Sequence, residues 1–255
     1  MPATDASAPP ALGRHARLAG FLYLTIIVTS LLSSLLVESR LVVDGNPAAT
    51  IERIAADETL YRAGLVYDTV MFASVIALAW ALFVILRGVD RHRALLALLW
   101  RVAEAIVGAV TVLFGVLIAL LAGDPGVRAA FEPGQLRSLV DVLLAAREVG
   151  FDVTIFFLSL GTIVYCRLLY VSRYVPRPLA VLGLVSFVVM LVGAAVNLLL
   201  PVHRDIVMAG WAPGIVFEVV IGVWLLVKGV RVPPAVPVPL EAATAHAQRR
   251  GARET

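Results

Sequence analysis

The chain has little of what a soluble enzyme displays. Only 15% of its 255 residues are charged, whereas a soluble domain runs at roughly 25%. Its one cysteine, Cys166, lies inside an apolar stretch, so a single chain can build neither a disulfide framework nor a thiolate metal site. Histidine is scarce: His15, His92, His203 and His246 all fall in loops or tails, which argues against a haem held by histidines within the apolar segments. His203 and Asp205 stand two residues apart with no third ligand near them, so no metal site is expected. There is no H-E-x-x-H, no G-x-S-x-G and no phosphate-binding glycine loop. No catalytic constellation and no cofactor is therefore assigned. Lysine is nearly missing as well, Lys228 being the only one. A basic charge carried almost wholly by arginine is a compositional mark of a GC-rich bacterial genome.

What is present is apolar sequence. Sixty per cent of the residues are hydrophobic and the mean hydropathy is +0.93, more apolar surface than a water-soluble fold can bury. Six continuous stretches are long enough for a helix through ~30 Å of hydrocarbon: residues 18–37, 64–86, 94–121, 149–171, 179–200 and 211–230. They are continuously apolar and not alternating, which selects helices over barrel strands. The expected fold is an all-α integral membrane bundle of about six helices spanning residues 14–231. An unstructured tail (1–13) precedes it, and a proline- and alanine-rich tail (232–255) follows. Asn46-Pro47 ahead of AATIERIAADE reads as a cap opening a short interfacial helix, and QLRSLVDVLLAAR as a helix feeding straight into the fourth span.

Arginine sets the orientation. With the N-terminus inside, the inner side collects 13 basic residues and four acids, and the outer side seven basic residues and nine acids. Arg40 and Arg147 are counted on the outer side, as is Glu38. Both termini are expected in the cytoplasm of a bacterium, with the chain in the cytoplasmic (inner) membrane. The small net charge of +3 then records topology, and no nucleic-acid partner is implied.

Ionisable groups inside the spans need a partner or a purpose, since each costs about 2.5–3.5 kcal/mol at the centre of a helix. Arg101 and Glu104 share a face of the third span, with Glu104 roughly 15 Å from its inner end. They read as a neutralised pair, as a site opening onto a polar cavity, or as a snorkelling arginine beside a protonated acid. Asp68, Asp152, Glu218 and the amide Asn197 fall in the outer parts of spans two, four, six and five, where they would line one vestibule; Glu148 lies a turn above Asp152. Ordinary interfacial solvation is the alternative for Asp68, Glu148 and Asp152. Arg101, Glu104, Asp68, Asp152, Glu218 and Asn197 are thus the candidate ligand-binding residues. Their excess of acid in low dielectric suits a proton-coupled step or a cationic ligand, and equally a set of neutral acids bonded to one another.

The segments RLAGFLYLTIIV, LYRAGLVYDTVMFASVIALAWALFVIL, LLWRVAEAIVGAV and SRYVPRPLAVLGL, in that order and spacing, resemble the bacterial membrane family known as domain of unknown function 4386. The resemblance covers roughly residues 16–230. It implies a multi-span protein without an assigned activity, and Asp68, Arg101, Glu104 and the turn at Pro176 match positions typical of it. The family often carries a histidine near the start of the fourth span, where this chain reads AAREVGFD. Three functions follow from the residues. One is binding or transport of a small molecule or ion through the acidic and arginine groups. The second is a non-catalytic accessory subunit that pairs with a membrane partner through Ala73, Ala77 and Ala81. The third is an intramembrane enzyme, for which no nucleophile–base arrangement is visible.

Overall fold

The computed structural model describes residues 10–200 and 210–231, and among them the regular structure is entirely helical. Helix α1 (Pro10–Leu32) runs through a π-helical turn (Ser33–Glu38) into the short α2 (Ser39–Leu41). Then follow α3 (Pro47–Ala56), α4 (Glu58–Leu86), α5 (Arg91–Gly123), α6 (Pro125–Ala129), α7 (Pro133–Ser172), α8 (Arg177–Leu199) and α9 (Ala212–Val227). Helix starts are fixed locally. Asn46 Oδ1 accepts the Ala49 N–H at 3.0 Å, with Pro47 supplying the first helical residue of α3. Asp57 and Asp90 cap α4 and α5 in the same way, from Leu60 N and Arg93 N. The exposed Asp90 carboxyl is held below its ordinary pKa chiefly by that Arg93 backbone N–H.

Five stretches are long and apolar enough to cross a membrane: Leu12–Leu41, Glu58–Leu86, Arg91–Gly123, Pro133–Ser172 and Arg177–Leu199. The sixth expected span is shorter than the apolar run suggests. Its helix has 16 residues, about 24 Å, because Pro213 sits in its first turn and Gly229, at φ +68°, ends it. Two further boundaries differ from expectation. Helix α1 already begins at Pro10, so residues 10–13 belong to the bundle. Helix α7 is 40 residues long, about 60 Å and twice the hydrocarbon thickness, so it begins well before the apolar run expected at residue 149. The expected tails 1–9 and 232–255, and His203 with Asp205, lie outside the described residues.

The helices close a ring in chain order: α1 on α4, α4 on α5, α5 on α7, α7 on α8, α8 on α9 and α9 back on α1. Missing side chains let the backbones approach. A Cβ at Gly20 would strike the backbone of Leu226, and one at Gly222 would press on Tyr23, so α1 and α9 cross at this pair. Along the antiparallel α5–α7 seam, Gly161 lies against Arg101, Gly150 against Thr111 and Gly115 against Arg147. The interior is two apolar clusters. One runs from Ala194, Trp211 and Phe217 through Tyr165 and Leu82 to Ala16, Leu86, Ala94, Leu169 and Leu225 at the end where the 87–93 and 173–177 turns lie. That is the basic end, and Arg231 N donates there to Tyr174 O at 3.0 Å. The other cluster, at the far end, joins Val37, Ile51, Ile54, Tyr61, Leu65, Ile118, Leu136 and Val140, so that α3 and the start of α7 cap the bundle.

Candidate functional site

By their contacts the six candidate residues fall into three sets, with Asp68, Glu218 and the Asp152–Asn197 pair each in a different one. In the first, Arg101 Nη1 lies 2.8 Å from Glu104 Oε2, one turn along α5. Both side chains are buried, at 3% and 5% exposure. The contact is short but off-axis for a hydrogen bond, since Glu104 Oε2 has no hydrogen-bond partner. Arg101 Nη1 also reaches Thr162 Oγ1 on α7 at 3.5 Å. Gly161 makes the room: a Cβ there would meet Arg101 Cγ at 2.9 Å. Glu218 on α9, Tyr23 on α1 and Tyr165 on α7 lie within electrostatic reach of the guanidinium, and Tyr165 is held by donating to Ala79 O at 3.0 Å. Glu218 therefore belongs with Arg101, not with the outer groups, because α9 turns its carboxylate toward the α1–α5 interior.

In the second set, Asn197 Nδ2 on α8 donates to Asp152 Oδ1 on α7 at 3.1 Å, and both residues are buried. This bolts α7 to α8. Asn197 Oδ1 has no hydrogen-bond partner.

The third set contains a residue that sequence reasoning put on the helix leading into the fourth span but counted among the outer-side charges. Arg147 lies within α7 and points into the bundle. Its Nη2 is 3.1 Å from Glu38 Oε1 and 3.4 Å from Asp68 Oδ2, and its Nη1 is 3.4 Å from Tyr61 Oη. Glu38 comes from the π-helical turn and Asp68 and Tyr61 from α4, so three helices meet on one guanidinium. Ser33, the first residue of the π-turn, lies within hydrogen-bonding reach of Asp68. The π-turn explains how both Ser33 and Glu38 face inward: its wider winding puts residues five apart on one side. Exposure is graded here, 14% for Arg147 and Asp68 but 43% for Glu38, so the set opens outward at its glutamate. Gly115 keeps space beside it, with the Arg147 guanidinium 3.5 Å from where its Cβ would stand. Arg147 Nε is buried without a hydrogen-bond partner.

A signal for Arg147 exists in the sequence. Leu136, Val140, Leu143 and Arg147 recur at spacings of four, three and four, the buried stripe of a helix. Glu38 and Arg147 were counted as outer-side charges because both flank their apolar runs, and hydropathy does not show which flanking charges turn inward. The alanines expected to meet a partner protein are partly used within the chain: Ala81 is buried and Ala77 packs on the core cluster, while Ala73 is exposed.

Residues 18–229 match the family described as Domain of unknown function (DUF4386), and the chain belongs to that family. No curated protein and no solved structure matches it.

Proposed function

We propose that this member of the family, an all-helical membrane protein, binds or transports a small cation or cationic molecule, taken up at Glu38, Asp68 and Arg147. The observation that supports this is an imbalance of charge. Two carboxylates from different helices face one guanidinium at 3.1 and 3.4 Å, in a place open enough to exchange with solvent. A second acid in low dielectric costs stability unless a proton or cation joins it; the Arg101 set has the same count in Glu104 and Glu218 but its pair is sealed, whereas Glu38 is reachable. The arginine excess at the opposite end supports reading this end as the outer one, with both termini inside a bacterial cytoplasmic membrane. Beneath it, the Asp152–Asn197 contact and the Arg101, Glu104 and Glu218 set hold the helices closed toward the basic end.

Equilibrium binding of labelled sodium and labelled methylammonium to the purified full-length protein tests the reading. Saturable binding of one of them near one per chain is expected, lost in Asp68→Asn and weakened in Glu38→Gln. No saturable binding of either, or equal binding in both variants, contradicts it.

A further inference from the structure

The basic end carries a feature that the cation site does not use. The outward face of α9 forms a groove lined by Val219, Val220, Val223, Trp224, Val227 and Lys228. It is apolar along about 12 Å of helix and ends in cations. Lys228 lines it directly, and the guanidinium of Arg231 lies 5.2 Å from the centre of the Trp224 ring that forms its wall. The backbone bond from Arg231 N to Tyr174 O brings this end beside the α7–α8 turn. Two more exposed arginines stand there, Arg173 and Arg177, the second 5.1 Å over the Tyr170 ring. None of these four cations makes an ion pair among the described residues, and neither 167–180 nor 219–231 contains an acid.

We propose that this groove is a binding site for one anionic phospholipid of the leaflet at the basic end. An acyl chain lies along the valines, and the phosphate accepts hydrogen bonds from Lys228 Nζ and the Arg231 guanidinium. Charge complementarity selects this occupant: unpaired cations at the mouth of a wholly apolar groove match a molecule that is anionic at one end and hydrocarbon at the other. The shortness of α9 contributes, because a helix of about 24 Å draws the headgroup layer toward its last turn. Two aromatic-held guanidiniums are also oriented in advance, which reduces what binding must immobilise.

Native mass spectrometry of the full-length protein with phosphatidylglycerol and phosphatidylcholine of identical chains tests the proposal. Wild type should retain phosphatidylglycerol preferentially. Lys228→Ala with Arg231→Ala should lower that preference roughly 25-fold, near fivefold for each cation removed. Arg128→Ala with Arg137→Ala, at the far end, should leave it unchanged. Equal retention of the two lipids by wild type overturns the proposal without recourse to any variant, as does a preference that survives in the Lys228 and Arg231 variant. Neither result bears on cation binding at Glu38 and Asp68, which lie at the opposite end.

Discussion

Arg101 and Arg147 are both arginines drawn into an apolar bundle, yet they are housed in opposite ways. Arg101 finds its acid on its own helix, three residues away, and is sealed by Gly161 across the seam. Arg147 finds its acids 79 and 109 residues away, on a neighbouring helix and on a π-turn, and leaves one of them nearly half exposed. The first pairing needs only one helix. The second exists only because α1, α4 and α7 meet, and it remains open to the outside. Each arginine has two acids near it, so the exposure of Glu38, not the count, is what lets the outer set exchange a cation.

The largest effect expected from that contrast is at the closed pair. Arg101→Ala strands the Glu104 carboxylate and should destabilise the protein by about 3–5 kcal/mol. Replacing both residues by leucine should recover most of the loss, as thermal unfolding in detergent would show; an equal loss in the double variant breaks the comparison. Arg147→Ala should cost less, about 1–3 kcal/mol, because its partly exposed acids can regain water. A larger loss there than at Arg101 would reverse the assignment of open and closed. Gly161→Ala drives a methyl into Arg101 Cγ and the Ala97 carbonyl oxygen and should cost about 1–3 kcal/mol, with Arg147 contacts unaffected. Thr162→Val removes only the 3.5 Å contact and should shift stability by about 0.6 kcal/mol.

Any pH titration of either arginine site is read against Asp90, the exposed cap of α5. Its folded pKa is depressed, so its contribution is present above the ordinary aspartate pKa and is lost as pH falls through the folded value. Asp90→Asn should therefore flatten a small part of the acid limb of a stability profile. A profile unchanged by that substitution would show that the cap is not felt globally.

Much of the fold was legible because hydropathy and helix length speak to the same constraint: a segment in hydrocarbon must satisfy its backbone within itself. The Asn46-Pro47 start of α3 and the Arg101–Glu104 pair were legible for a second reason, since both depend only on residues three or four apart. Arg147 with Glu38 and Asp68 was not, because nothing local reports a contact between positions 38, 68 and 147. The π-turn is equally silent: Ser33 to Val37 read as ordinary helix, with Glu38 just past its end, and nothing in the local sequence marks the extra residue in the winding. Glu218 failed on direction; its depth along α9 was visible, but the face it presents was decided by α1 and α8.

The most direct test of the outer site compares cation-induced thermal stabilisation in three proteins, using the cation that wild type binds. Wild type and the Arg101→Leu, Glu104→Leu double variant should both be stabilised, and Asp68→Asn should not. Stabilisation that persists in Asp68→Asn but vanishes in the Arg101 and Glu104 variant would contradict the account, because it would place the cation at the closed pair.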